Sequence, residues 1–156
     1  MRIISKSVNQ TLKVGRAIAK NLTAGDIVCL VGDLGTGKTV LTKGIAQGLG
    51  IKKNEIVSPT FVLIHQYENA RLPFYHFDLY RLKSPKDILD LGYQEYFYSQ
   101  GITVIEWADR LKYLKPSEFL KINLQVKNEN SRLFKFEAEG KHYKELLRKI
   151  HENIRH

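Results

Sequence analysis

The chain has 156 residues, one cysteine and a formal net charge of +9, from 25 lysines and arginines against 16 aspartates and glutamates. This length can bury a core without disulfides, and a lone cysteine excludes a disulfide framework or a cysteine-rich metal site. The charge favours an acidic partner, nucleic acid above all. The polar N-terminus and the short aliphatic runs predict a cytoplasmic protein without a membrane segment.

The first predicted elements are a helix and a buried strand. Ser7 followed by Gln10 has the form of a capping box, and apolar residues then recur at helical spacing, which predicts a helix over about residues 8–22. Ile27–Val31 is a continuous apolar run, typical of a strand buried on both faces. Within it, we expect Cys29 to be a small buried side chain rather than a reactive thiol.

A glycine-rich loop follows this strand. Residues 32–39, GDLGTGKT, match G-x-x-x-x-G-K-[ST], the pattern of the phosphate-binding P-loop. The next helix, predicted over about residues 38–49 and ended by Gly50, would present its positive N-terminus to the phosphates. Lys38 would contact the β- and γ-phosphates, and Thr39 would offer its hydroxyl to Mg²⁺. Placement between a strand and a helix argues against a glycine turn that merely resembles a P-loop.

The remaining chain alternates strands with helices. Ser84 followed by Pro85 predicts a helix start, with serine as N-cap and proline at the first position. The predicted strands are 61–67, 74–79, 102–106, 120–126 and 133–138, and the predicted helices are 84–91 and 141–154. We therefore predict one α/β domain over residues 1–156. Its expected architecture is a three-layer P-loop NTPase fold with a mixed central sheet, antiparallel toward the C-terminal part.

Two carboxylates end predicted strands, where a P-loop site would use them. Asp78 and Glu106 are candidates to hold Mg²⁺ and to orient or deprotonate water, although either could be a helix cap or half of a surface ion pair. Thr60 is placed like a switch residue that senses the γ-phosphate, and its alternative is an ordinary turn threonine. We expect His76 to pack in the sheet rather than act in catalysis. Trp107 would either stack near the nucleotide or belong to the core.

Missing motifs narrow the class of protein. Neither N-K-x-D nor T-K-x-D occurs, and no aspartate has a glycine three residues later, which disfavours a guanine-specific GTPase and favours adenine. The arginines are scattered and no lid insertion is evident, which disfavours a small-molecule kinase. Two alternatives to an ATPase stay open: a small-molecule or nucleoside kinase of the P-loop class, and a nucleotide-gated RNA-binding module.

Several motifs occur together in a specific order. They are GDLGTGKT at 32–39, SPTF at 58–61, HFDLYRL at 76–82, LG at 91–92 and IEW at 105–107. In this order and spacing the chain resembles the TsaE family, from about residue 11 to at least Trp107. The resemblance implies a small ATPase that binds Mg-ATP and supports the proteins TsaD and TsaB. These partners form N6-threonylcarbamoyladenosine in tRNAs that read codons beginning with A, so tRNA would be reached through their complex.

The resemblance also implies roles for particular residues. It places Thr11 near the adenine, Asp78 close to the metal, Trp107 beside the nucleotide and Arg132 facing it. Val40 stands where many members have a second threonine, and Thr36 where many have alanine; neither change removes a backbone donor. The candidate catalytic residues are Lys38, Asp78 and Glu106; the candidate metal ligands are Thr39, Asp78 and Glu106; and the candidate nucleotide-binding residues are Thr11, Gly32, Gly35, Thr36, Gly37, Lys38, Thr39, Val40, Thr60, Trp107 and Arg132.

Overall fold

A computed structural model describes residues 1–57 and 63–155 of the chain. The strands are β1 Arg2–Ser5, β2 Ile27–Val31, β3 Ile64–Tyr67, β4 Phe74–Asp78, β5 Ile102–Glu106, β6 Phe119–Asn128 and β7 Ser131–Glu139. The α-helices are α1 Val8–Ala19, α2 Lys38–Gly48, α3 Pro85–Asp90, α4 Gln94–Phe97 and α5 Lys141–Arg155. Short 3₁₀ segments cover Lys53–Glu55 and Ala108–Leu114. The start of the predicted strand 61–67 lies outside the described residues.

The seven strands form one mixed sheet in the order β1-β7-β6-β2-β5-β4-β3. Strands β6, β2, β5 and β4 run parallel at its centre. The pairs β6–β7 and β1–β7 are antiparallel on one side, and β3–β4 is antiparallel on the other. The predicted mixed sheet is therefore confirmed, with antiparallel pairing at both edges rather than only toward the C-terminal part. The carboxyl ends of β2, β5 and β4 meet at one edge, where α/β proteins place their sites.

Helices cover both faces of this sheet, as the three-layer prediction requires. Alternate residues of β2 point to opposite faces. Val28 and Leu30 pack with buried side chains of α1, α2 and α5, whereas Ile27 and Cys29 pack with those of α3, α4 and the Ala108–Leu114 segment. Cys29 is buried as predicted, and burial raises the pKa of its thiol to about 12.

Helices α1 and α2 approach unusually closely. A Cβ on Gly44 would lie 2.6 Å from the carbonyl oxygen of Leu12, and a Cβ on Gly15 would lie 2.7 Å from the backbone of Gly44. Only glycine fits such a backbone contact. The contact fixes the N-terminus of α2, which carries the end of the P-loop.

The helix ends agree with the sequence patterns to within a few residues. Ser7 accepts a hydrogen bond from the backbone of Gln10, as the predicted cap requires. Helix α1 ends at Ala19 rather than near residue 22, because the amides of Asn21 and Leu22 bond three residues back in a tight turn. Gly50, with φ of 94°, follows α2 as predicted. No helix in the described part of the chain is long and apolar enough to cross a membrane.

Candidate nucleotide-binding site

A cavity of about 640 Å³ opens where β2, β5 and β4 end. It brings together ten of the predicted site residues: Thr11, Gly35, Gly37, Lys38, Thr39, Val40, Asp78, Glu106, Trp107 and Arg132. Gly32 and Thr36 belong to the same loop but line a separate recess of about 290 Å³. Thr60 lies outside the described residues, so its predicted role stays a prediction.

The P-loop joins the end of β2 to the start of α2. Gly37 precedes α2 with φ of 99°, a left-handed conformation that favours glycine. Lys38 and Thr39 are therefore the first residues of the helix, where free backbone N–H groups and the helix dipole favour an anion. The Thr36 hydroxyl donates to the Asp33 carbonyl at 2.9 Å, and this hydrogen bond within the loop stabilises its conformation.

The ammonium of Lys38 is held on several sides by the protein. It donates to the carbonyl oxygens of Gly32 at 2.6 Å and Asp33 at 2.8 Å, and lies 4.0 Å from the centre of a ring of Trp107. Burial lowers the pKa of Lys38, while the nearby carboxylates, Glu106 first, act in the opposite direction. A phosphate that binds Lys38 would therefore have to replace some of these existing contacts of the ammonium.

Three oxygen-bearing side chains lie beside the start of α2. The Thr39 hydroxyl donates to Oε1 of Glu106 at 2.8 Å. Pairing of β4 with β5 puts Asp78 directly beside Glu106. Burial raises the pKa of Asp78, and neighbouring Glu106 raises it further, against the opposing effects of the Tyr80 amide, His76 and Lys38.

This donor set fits Mg²⁺. Magnesium prefers oxygen ligands and is commonly held by one or two carboxylates, with phosphates and waters completing its shell. Within residues 1–57 and 63–155, no group of three or more His, Cys, Asp or Glu could enclose a metal by itself. A threonine hydroxyl and two adjacent carboxylates match a cation bound together with a nucleotide rather than in an all-protein cage.

His76 has a contact that the sequence did not reveal. It is buried in the sheet, as expected, with 2% of its surface exposed. Its imidazole also forms a hydrogen bond from Nε2 to Oε2 of Glu106. The spacing of His76 and Asp78 could have indicated this contact. Residues two apart on a strand share one face, so His76 lies on the same face as Asp78, which is paired with Glu106.

The far end of the cavity is built from segments that are distant in sequence. The Thr11 hydroxyl is 2.8 Å from that of Ser5, and residues 5–8 form one wall. The β6–β7 turn forms the other wall, where Arg132 donates to the Asn128 carbonyl at 3.1 Å. The lining residues that the sequence did not identify are Ser5, Lys6, Ser7, Val8, Leu34, Tyr80, Glu129 and Asn130.

Trp107 satisfies parts of both sequence-based alternatives. It lines the cavity and also packs partly against the core beneath α3 and α4. Its ring centre lies 5.0 Å from that of Tyr80, and the Arg110 guanidinium lies 5.4 Å from the Trp107 ring. The indole therefore links the P-loop lysine to the segment that follows β5.

Comparisons with known proteins agree with this architecture. Residues 5–134 match the family model described as "Threonylcarbamoyl adenosine biosynthesis protein TsaE". The tRNA threonylcarbamoyladenosine biosynthesis protein TsaE of Bacillus subtilis is 41% identical over 145 residues, covering 89% of this chain and 90% of the relative. The protein of the same name from Nostoc is 42% identical over 135 residues, covering 84% and 82%.

A solved structure supports the same relationship. The crystal structure of Bacillus subtilis YdiB superposes with a TM-score of 0.85 and 34% sequence identity, covering 97% of this chain and 94% of that one. Sequence and fold thus agree over most of the chain, which belongs to the TsaE family.

Proposed function

We propose that this protein binds and hydrolyses Mg-ATP to support formation of N6-threonylcarbamoyladenosine in tRNA, together with TsaB and TsaD. The observation that carries the proposal is the hydrogen bond between Thr39 and Glu106, beside the ammonium of Lys38. It joins the P-loop helix to the end of a parallel strand, where P-loop enzymes hold the metal.

Each residue has a role in this proposal. The amides at the start of α2 and the Lys38 ammonium bind the β- and γ-phosphates. Thr39 and Glu106 would hold Mg²⁺ with Asp78 adjacent, and the bound cation would neutralise charge on the phosphate oxygens. The raised pKa of Asp78 suits a group that accepts a proton from water or orients it. Residues 5–11 and the β6–β7 turn enclose the base.

Hydrolysis is proposed to serve an assembly rather than a small acceptor. The motifs of the chain are almost all used for nucleotide and metal, and the names of its relatives refer to a tRNA modification. Such an enzyme should be slow alone, because groups supplied in trans can accelerate phosphoryl transfer by about 10³–10⁵. The charge of +9 fits a position beside tRNA within the complex.

The test is ATP hydrolysis by the purified chain with and without a TsaB–TsaD complex. We expect slow basal turnover and clear stimulation by the complex. A small-molecule kinase would instead require a saturable phosphoryl acceptor.

In cells, depletion of this protein should lower the amount of threonylcarbamoyladenosine in tRNA nucleosides, measured by mass spectrometry. An unchanged level, with no paralogue present, contradicts the proposal.

Two kinds of variant separate binding from hydrolysis. Lys38→Ala should weaken ATP binding at least tenfold, since a charge-assisted hydrogen bond contributes about 1.5–3 kcal/mol and about 1.4 kcal/mol is a factor of ten.

Asp78→Ala and Glu106→Ala should still bind ADP but hydrolyse ATP far more slowly. Wild-type turnover with the complex in either carboxylate variant would leave that residue a structural role only.

A further inference from the structure

We propose that His76 is a positioning residue that holds the carboxylate of Glu106 in the orientation needed to meet Thr39 and a bound cation. The contact itself stands on geometry. Its consequence for metal binding rests on the proposed Mg-ATP function, so the two are tested separately.

The carboxylate of Glu106 is held from both sides. Oε2 is hydrogen-bonded to Nε2 of His76, and Oε1 accepts from the Thr39 hydroxyl at 2.8 Å. His76 and Glu106 are 2% and 1% exposed, so water does not replace either partner readily. With each oxygen engaged, rotation of the carboxylate would break a buried hydrogen bond.

The sheet makes this contact possible. In the parallel β4–β5 pair, His76 lies opposite Val104 and Asp78 lies opposite Glu106. Side chains two residues apart share a face, so His76 reaches diagonally to Glu106. The imidazole thus approaches from within the strand pair, whereas Thr39 approaches from the P-loop helix.

A neighbouring histidine provides a natural contrast. His65 of β3 lies opposite His76 in the antiparallel β3–β4 pair, with ring centres 6.5 Å apart. Its buried Nε2 has no hydrogen-bond partner among the described residues. The same residue type in the same sheet therefore occurs once with a carboxylate partner and once without any partner at this nitrogen.

Loss of the imidazole should affect metal binding more than nucleotide binding. A buried carboxylate that loses a partner turns toward another donor or becomes neutral. Removing hydrogen-bonding partners of metal ligands typically lowers metal affinity or activity about 10–100-fold. The phosphate contacts of the P-loop do not involve His76, so binding without metal should be retained.

The functional test measures binding of a non-hydrolysable ATP analogue by calorimetry, with and without Mg²⁺. In His76→Leu, the affinity without metal should stay within about twofold of wild type, whereas half-maximal strengthening should need at least about tenfold more Mg²⁺. His76→Gln, which keeps a side-chain N–H donor, should restore most of the effect. His65→Leu is the matched control and should behave as wild type. A wild-type Mg²⁺ dependence in His76→Leu would overturn the proposal.

The contact is tested independently by a double-mutant cycle on urea unfolding. His76→Leu and Glu106→Leu, neither of which can form this hydrogen bond, should destabilise the protein by less together than the sum of the single variants, because each removes the same interaction. If His76→Leu does not fold, His76→Asn, whose shorter amide does not span the gap, takes its place. Additive effects would overturn the contact, whereas a wild-type protein that binds nucleotide without any Mg²⁺ effect would overturn the proposed function.

Discussion

Asp78 combines a half-buried position with a second carboxylate beside it. Burial raises its pKa, and Glu106 acts in the same direction. Asp78 therefore ionises at a higher pH in the folded protein than in the unfolded chain, where its pKa has the ordinary value of 3.8. By linkage, the stability that neutral Asp78 contributes is present below this value and is lost as the pH rises through the folded pKa.

Asp78→Asn should consequently be more stable than wild type at neutral pH. The asparagine cannot ionise, yet its oxygen can still accept from the Tyr80 amide, which is 3.0 Å from the Asp78 carboxylate. The difference in urea midpoint should grow as the pH rises from about 4 to about 7. Asp90→Asn, in an exposed position of α3, controls for the loss of one charge. A gap that does not change with pH would contradict the prediction.

At the scale of elements, the contact between α1 and α2 positions the P-loop helix. Gly44→Ala should lower the free energy of unfolding by about 1–3 kcal/mol, because overpacking forces the backbones apart. In an exposed helix the same change would raise the free energy of unfolding by about 0.5–1 kcal/mol. The sign of the measured change therefore shows whether the two helices resist separation. Urea unfolding measures it, with Lys13→Ala on the exposed face of α1 as control. An increase in stability would mean that α1 and α2 separate easily.

Helix α5 docks on the start of β2 through a tyrosine. The buried Tyr143 hydroxyl accepts from the backbone N–H of Ile27 at 2.9 Å. Burial raises the pKa of Tyr143 to about 12, so the hydroxyl keeps its proton at neutral pH. This helix follows the residues that match the family model, which end at 134.

Tyr143→Phe should destabilise the protein by about 1–3 kcal/mol, because the amide of Ile27 loses its partner inside the protein. Tyr113→Phe is the matched control, since Tyr113 is 75% exposed. Unfolding in urea gives both values. Equal effects of the two substitutions would show that the hydrogen bond contributes nothing to docking of α5.

At the scale of the whole molecule, the charge is distributed unevenly. Neither α1 nor α2 contains an aspartate or glutamate, whereas Lys13, Lys20 and Lys43 lie on them or at their ends. In α5, by contrast, Arg148 pairs with Glu145 and Glu152, so part of its charge is compensated. Helices α1, α2 and α5, which cover the same face of the sheet, therefore carry most of the excess positive charge.

Association with the proposed partner, a tRNA-loaded TsaB–TsaD complex, should accordingly slow as salt rises. Counterion release and steering both weaken between about 50 mM and about 200 mM salt. Stopped-flow measurement of the association rate tests this, with circular dichroism at each salt concentration to show that the fold is intact. A rate that does not depend on salt would mean that the net charge has no part in the encounter.

The local features of this protein could be read from its sequence. The P-loop, the ends of α2 and α3 and the alternation of β6 depend on neighbouring residues, so glycine, proline and hydrophobic period predict them. The positions of Asp78 and Glu106 at the ends of strands followed from the same patterns, whereas the pairing of those two strands did not. Strand β1 was missed, because four edge residues carry little periodic signal and pair with β7 at the other end of the chain.

The tertiary structure alone decided which distant side chains meet. Thr39 contacts Glu106 across 67 residues of sequence, and His76 contacts it across 30. These contacts depend on strand order and register, and both are set by packing of the whole sheet rather than by local propensity. The sequence by itself therefore determined the phosphate loop and the type of fold. Only the folded sheet determined that one buried glutamate contacts the P-loop helix and a histidine and lies beside Asp78, at the edge proposed to bind metal.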